Sequence, residues 1–496
     1  MNRFTCGMGA TTGNARLLNA FFLVAIIFAG AQGFARSASQ PISRHPEVAA
    51  AIEVLDAWIA ATVASREQPG LSVGIVWDQD LIWSKGYGFA DVRHKIPAGP
   101  STLYRVASIS KLFTATAVLQ LRDAGKLSLD DPVARHLDWF KIRAAQPEGP
   151  PITIRHLLTH TSGLPREALG LNWTDLKFPA REAMIRGVAE QDRVFPVETE
   201  WKYSNLGFSL AGEIVSKVSG EPWHQYVENR ILRPLGMTAT HTLPLAGLAG
   251  LATGYERRLP GTSREVAPFV DIAAERPAGN LASSVEDLAK FVALQFREEP
   301  AAGSQILRGD TLKEMHRVHW LKPDWQSGWG LGFSIRRTGS QIRIGHGGSL
   351  PGHRTQIEFV VAEKLGVIVL TNANDGEPLR YVNQAFILLS PAIAKIAAAS
   401  KVAPVADPGW EKYVGTYTSK QSDIKIRVLN GQLTLIDPGA DDPWESRAIL
   451  RPAGSHRFQL QSSTGTAAIG EILTFELDAQ GRVVRASLPN SYWLRQ

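Results

Sequence analysis

Cysteine is almost missing from this chain: Cys6 is the only one in 496 residues. That excludes a disulfide framework, a thiolate metal site and a cysteine nucleophile from the body of the protein. Acidic residues are missing from the start, the first being Glu47. Basic residues never gather into a run longer than pairs such as Arg257-Arg258 and Arg336-Arg337, so the net charge of +6 lacks the patch or stripe of a nucleic-acid surface. No nucleic-acid partner is expected, and a mild positive field is at most a weak pointer to an anionic substrate. There is no low-complexity tract and no repeat of solenoid type. What remains is a globular composition, 44% hydrophobic and 20% charged, in a chain long enough for two domains.

The first 35 residues differ in kind. Arg3 and Arg16 precede an apolar run, Leu17 to Ala31, too short and too abruptly ended for a comfortable membrane span. It closes on Ala29, Gly30, Ala31, Gly33 and Ala35, the pattern of a signal peptide, residues 1–35, cleaved between about Ala31 and Ala35. The alternative is an uncleaved anchor. A lipoprotein would carry a Cys at the end of the run, and Cys6 is at the wrong end. Cleavage would leave a cysteine-free protein with no stable membrane span, suited to a periplasmic or secreted location.

The rest alternates between two textures. Ala50, Ile52, Leu55, Trp58, Ile59 and Val63 recur at helical spacing over Pro46–Glu67. Two β runs follow, Leu71–Trp77 and Leu81–Gly88, around the turn Asp78-Gln79-Asp80. A helix is predicted from near Val106 through Leu121, then mixed helices and loops to about Val318. The β pattern returns at Gln341–Gly345, His353–Val361 and Leu365–Thr371. Strands at both ends with helices between them predict an α+β fold: one antiparallel sheet closed by distant segments and flanked by helices, with a helical subdomain. A linker is expected at 396–404, in an Ala- and Pro-rich stretch. Beyond it, at 405–496, alternation before and after Asn430-Gly431 marks a hairpin. Further strands at Phe458–Gln461, Ile472–Leu477 and Val483–Leu488 complete a small all-β domain.

Three elements carry chemistry. Ser108-Ile-Ser-Lys111 opens an apolar helix, where residues three apart share a face. Serine is a poor nucleophile without an adjacent base, and a lysine buried among apolar groups can serve. The positive helix N-terminus disfavours charge on Lys111 and stabilises an oxyanion near Ser108. The second element is Tyr203-Ser-Asn205: a phenol that can shuttle a proton, and an amide that can donate to a substrate carbonyl and accept from Lys111. The third is Gly345-His-Gly-Gly-Ser349 at a strand end. Its glycines admit a substrate backbone, and His346 could bind a carboxylate or polarise the attacked group. A backbone N–H beyond it could join that of Ser108 as an oxyanion hole.

Short motifs also occur by chance. Ser422-Asp-Ile-Lys425 repeats the first spacing on a predicted strand, where odd spacing sends the side chains to opposite faces. Tyr381-Val-Asn383 repeats the second on a predicted helix. Ser349 cannot be a G-x-S-x-G nucleophile because position 351 is proline. Ser284 reads as a helix cap. His156 and His160 lie four apart without an acidic third ligand, so no metal is expected. Trp325 and Trp329 read as core or cleft wall.

With S-I-S-K at 108–111, Y-S-N at 203–205 and H-G-G at 346–348, the chain resembles the serine β-lactamase and penicillin-recognising superfamily on its class C side. That branch holds D-alanyl-D-alanine carboxypeptidases, D-aminopeptidases, class C β-lactamases and related esterases. The flanking stretches 154–165, 234–237 and 330–333 look like the family too, and the resemblance covers about residues 45–395. It implies a β-lactamase/transpeptidase-like fold and a barrel-like C-terminal domain, placed either as a wall over the site or as a stability element. It implies Ser108 as nucleophile, Lys111 as base, Tyr203 as proton shuttle, and Asn205, His346, Gly348 and Ser349 on the substrate side, Ser349 N–H being the second oxyanion donor. It implies no cofactor. The expected activity is hydrolysis of an amide or ester through an acyl-enzyme, on a small D-amino-acid peptide, ester or β-lactam. His rather than Lys in the third motif departs from most true class C lactamases. The rival expectation is a penicillin-type sensor or a non-turnover protein that holds peptide or cell-wall fragments.

Overall fold

The computed structural model describes residues 42–144, 149–297, 305–400, 406–462 and 468–496. The expected signal peptide lies outside them. Helix α1 (Pro46–Ser65) leads into strands β1 (Gly70–Trp77), β2 (Asp80–Asp91) and β3 (Ile96–Pro97). The helical half follows, with α2 (Ser110–Asp123), α3 (Asn205–Ser219) and α4 (Val285–Leu294) its main helices. The chain then returns as β4 (Trp320–Leu321), β5 (Ser327–Trp329), β6 (Ser334–Thr338), β7 (Gln341–Leu350), β8 (His353–Val360) and β9 (Leu365–Thr371), ending in α5 (Pro378–Ser400). These strands form one nine-stranded sheet in the order β3-β2-β1-β9-β8-β7-β6-β5-β4. Its centre joins the two ends of the domain: β1 pairs antiparallel with β9, Leu71 opposite Thr371.

Alternation of side chains along β1 and β9 sorts the core into two layers. Leu71, Val73, Ile75, Val367 and Val369 face α1 and α5, meeting Leu55, Ile59, Tyr381 and Phe386. Val76, Ile368 and Leu370 face the helical half, meeting Phe113, Leu288 and Phe291. Because both faces are covered, β9 is buried along its whole length. Helix α1 is long and apolar enough to cross a membrane, but Val48, Leu55, Ile59 and Val63 are buried in the first of these layers. Ser284 caps α4, accepting a hydrogen bond from Asp287 N at 3.2 Å.

The C-terminal part is a closed eight-stranded barrel: β10 (Gly415–Thr418), β11 (Asp423–Leu429), β12 (Gln432–Ile436), β13 (Ala448–Gly454), β14 (Arg457–Gln461), β15 (Ile472–Leu477), β16 (Val483–Leu488) and β17 (Ser491–Arg495). The hairpin at Asn430-Gly431 is present, both residues at positive φ. The decoy Ser422 and Lys425 sit here, Ser422 Oγ accepting a bond from Trp493 Nε1 at 3.3 Å while Lys425 is exposed. Two readings need correction. Residues 396–400 of the expected linker continue α5, since Ile-Ala-Ala-Ala-Ser is strongly helix-forming. The strand predicted to stop at Gly345 runs on to Leu350 through all its glycines, because pairing with β8 continues to Leu350–His353.

Candidate active site

The site sits where α2, the start of α3 and β7 converge. A two-stranded pair, Tyr104–Arg105 with Ala282–Ser283, delivers the chain to a 3₁₀ turn at Ala107–Ile109. Ala107 enters that turn at φ 50°, a left-handed conformation uncommon outside glycine. The turn leaves Ser108 half-buried on the cleft, while Lys111, one helical turn on, is fully buried. The glycines of β7 let it close on this turn. A Cβ at Gly348 would lie 2.2 Å from both the Val106 carbonyl oxygen and Thr355 Oγ1, and Thr355 Oγ1 donates to that carbonyl at 3.0 Å.

Lys111 Nζ donates to Ser108 Oγ at 3.1 Å, Asn205 Oδ1 at 2.7 Å and the Ala278 carbonyl at 2.7 Å. Tyr203 Oη donates to Ser108 Oγ at 3.0 Å. The Lys111 ammonium also lies 5.0 Å from the Tyr203 ring centroid and 5.6 Å from that of Phe208. Ser204 caps α3, accepting from Gly207 N at 2.9 Å and donating to the Pro165 carbonyl at 2.6 Å. That cap turns Tyr203 outward to the serine and Asn205 inward to the lysine. Ser108, Lys111, Tyr203 and Asn205, separated by up to 97 positions in sequence (108 to 205), thus form one hydrogen-bonded set.

Burial and the nearby Lys111 charge push His346 down to about 3, and its Nδ1–H donates to the Gly347 carbonyl at 2.5 Å. The ring is therefore neutral, with Nε2 left as an acceptor that has no partner among the described residues. Of the two roles expected for His346, binding a carboxylate or polarising the attacked group, the unpartnered Nε2 is the atom left open to either. Gly348 and Ser349 follow on β7, and both line the cleft with Ser108.

Other parts of the site carry no sequence signal. The Asn205 amide that was expected to face substrate has its Nδ2 held by both Glu167 oxygens, at 3.0 and 2.9 Å. Glu167 also accepts from Trp173 Nε1 at 2.9 Å and pairs with Arg166 at 2.8 Å. Behind it, Glu275 is almost fully buried, and burial together with the Glu167 carboxylate raises its carboxyl to about 9. The two acids share a hydrogen bond, and Glu275 is held in its protonated form at neutral pH. His160 packs its ring 4.4 Å from that of Tyr203 and accepts from Ser204 N at 3.1 Å, a support for the phenol rather than a metal ligand. Trp329 is buried in the same aromatic group, but Trp325 is 75% exposed and belongs to neither core nor cleft. Among the described residues no group of three His, Cys, Asp or Glu could hold a metal.

The cleft encloses about 380 Å³. Around Ser108 it combines a hydroxyl held by two proton-carrying groups, a helix N-terminus and a strand edge. That arrangement suits attack on a carbonyl carbon.

Known proteins share this frame. The family described as Beta-lactamase matches residues 55–391. The putative penicillin-binding protein PbpX of Bacillus subtilis is 29% identical over 318 residues, covering 62% of this chain and 72% of that protein. The octameric penicillin-binding protein homologue from Pyrococcus abyssi superposes with a TM-score of 0.59 at 24% identity, over 90% of this chain and all of that one. The D-stereospecific amidohydrolase from Streptomyces superposes with a TM-score of 0.55, also at 24% identity, over 67% of this chain and 98% of that one. With two thirds of its length matched by the family, the chain belongs to the Beta-lactamase family, hydrolases built on the β-lactamase fold.

Proposed function

We propose that the protein is an exported serine acyl hydrolase acting on D-amino-acid amides or small esters. The observation that carries the reading is Ser108 Oγ held jointly by Lys111 Nζ and Tyr203 Oη at the mouth of a cleft. In the reactive protonation state Lys111 is neutral and takes the Ser108 proton as Oγ attacks the substrate carbonyl. A C–O bond forms, the carbonyl π pair moves to oxygen, and the N–H groups of Ser108 and Ser349 with the α2 N-terminus receive the oxyanion. Collapse breaks the bond to the leaving group, which departs with a proton delivered through Tyr203. Water then adds to the acyl-enzyme, its proton returns along the same groups, and the acid product and free Ser108 are restored.

The same reading takes residues 1–35 as a cleaved leader, checked by N-terminal sequencing of the mature protein.

The test is intact mass over time with benzylpenicillin, p-nitrophenyl acetate and a D-alanine anilide, for the parent and Ser108→Ala. A transient acyl adduct and turnover that both vanish in Ser108→Ala are expected. Full turnover of every substrate by Ser108→Ala would overturn the proposal, and a stable adduct without turnover would make the protein a binding sensor.

A further inference from the structure

Trp173 lines the same cleft as Ser108, from an irregular stretch of chain. Its indole is nevertheless fixed on two edges. Nε1 donates to Glu167 at 2.9 Å, and the Phe178 ring meets it edge to face with centroids 4.9 Å apart. Glu167 is itself tied down: both its oxygens accept from Asn205 Nδ2, while Asn205 Oδ1 accepts from Lys111. One hydrogen-bonded chain therefore runs from the buried lysine to the wall of the cleft. Below the indole, Trp173, Leu176 and Phe178 pack on a small cluster of Ala107, Val270, Ile272 and Leu350. Ala107 precedes Ser108 and Leu350 follows Ser349, so this apolar group adjoins the reacting centre. Ile272 and Leu350 are 2% and 3% exposed, whereas Trp173 is half-buried, so the surface turned to the cleft is mainly indole.

A ring that satisfies its own N–H and is held in place offers a ligand apolar area at little entropic cost. The cleft, about 380 Å³, falls among small-molecule pockets of roughly 300–1,000 Å³. The Tyr203 ring belongs to a different group, with His160, Trp201, Trp329 and His346. A leaving group that takes its proton from Tyr203 lies on that side, which leaves the Trp173 side to the acyl portion. We propose that Trp173 sets specificity by receiving an apolar side chain on the acyl portion of the substrate, so that D-phenylalanine amides are preferred to D-alanine amides. This rests on the acyl-hydrolase reading and names the substrate class within it. A benzyl group laid on the indole removes apolar surface from water and gains an aromatic pair, together worth about tenfold or more.

The test uses the p-nitroanilides of D-phenylalanine and D-alanine, which share the reacting bond and the leaving group. For the parent, kcat/KM is expected to be at least about tenfold higher for the D-phenylalanine compound. Trp173→Ala should bring the two within about threefold, and Trp173→Phe, which keeps an aromatic face, should retain most of the preference. Damage to the loop alone would lower both rates together and leave their ratio unchanged. An unchanged ratio in Trp173→Ala, a preference lost equally in Trp173→Phe, or no preference in the parent would each overturn the proposal. The same pair is titrated calorimetrically into Ser108→Ala, with and without Trp173→Ala. If the parent turns over neither compound, the hydrolase reading suffers and this binding ratio decides the proposal. About tenfold tighter binding of the D-phenylalanine compound that disappears with Trp173→Ala supports it, and equal or undetectable binding of the two overturns it.

Discussion

Ser108 Oγ touches two groups that can carry a proton, and their surroundings make them unequal. Lys111 is enclosed and tied to Asn205 and the Ala278 carbonyl, while Tyr203 is only part-buried and stands at the cleft. Lys111→Met is therefore expected to lower the acylation rate by about 10²–10⁴, the range of a lost general base. Tyr203→Phe should act mainly on leaving-group departure, more for an anilide than for p-nitrophenyl acetate. Single-turnover kinetics on both substrates check this, and equal losses for Tyr203→Phe would remove its shuttle role. A second prediction concerns Glu275. Its carboxyl lies at about 9 in the folded protein against an ordinary 4.5, so between those values the folded state holds a proton that the unfolded state has released. Its contribution to stability is therefore full below about 4.5 and declines as pH rises toward 9. Glu275→Gln should flatten that decline, so its Tm relative to the parent rises from pH 6 to pH 9. A constant difference in Tm across that range would dismiss the raised Glu275 carboxyl.

At the scale of elements, the approach of β7 to the Ser108 turn is the joint on which the cleft depends. Gly348→Ala places a methyl group against backbone, which cannot retreat as a flexible side chain would. The expected cost is about 1–3 kcal/mol of stability, together with a lower kcat as the strand is pushed off the serine. Thermal denaturation and steady-state kinetics test both, and an unchanged kcat would separate the strand from the chemistry. The elements also show what could be read in advance. Ser108 and Lys111 were legible because the relation is local, three residues on one helix, and Tyr203 and Asn205 because one short motif carries both a phenol and an amide. Strands β1 and β9 were legible from their apolar runs, and β8 from the alternation of Ile357 and Phe359 with Gln356 and Glu358. Glu167 and Glu275 were not: Glu167 lies on an irregular segment and Glu275 ends a single 3₁₀ turn, and only the fold brings residues 108 positions apart together. The neutrality of His346 was illegible too, since it comes from burial that letters do not record. In the barrel, β10, β13 and β17 escaped notice. Strand β13 carries Pro452 and Gly454 at a register shift, where β propensity is poor and a bulge interrupts the alternation.

Over the whole molecule, the buried histidines set the response to acid. Burial holds His316, His346 and His353 at about 3, and His160 well below its ordinary 6.5. Each is depressed, so its contribution to stability is full above about 6.5 and is lost as pH falls toward 3. Glu275 and Glu358, both raised, work in the opposite direction, but the four histidines outnumber them. Stability should fall below pH 6.5 by up to about 1.4 kcal/mol per pH unit for each proton taken up in excess on unfolding. Urea midpoints from pH 7 to pH 4 measure the slope, and a flat profile would mean that the histidines are not held neutral. The pairing of Leu71 with Thr371 at the centre of the large sheet has a consequence in time. A ribosome moving at about 5–20 residues per second needs roughly 15–60 s to pass from the first of these residues to the second. Throughout that interval the Leu-Ser-Val-Gly-Ile-Val segment of β1 has its hairpin partner β2 but not β9, so one of its edges stays open until nearly the whole domain has been made.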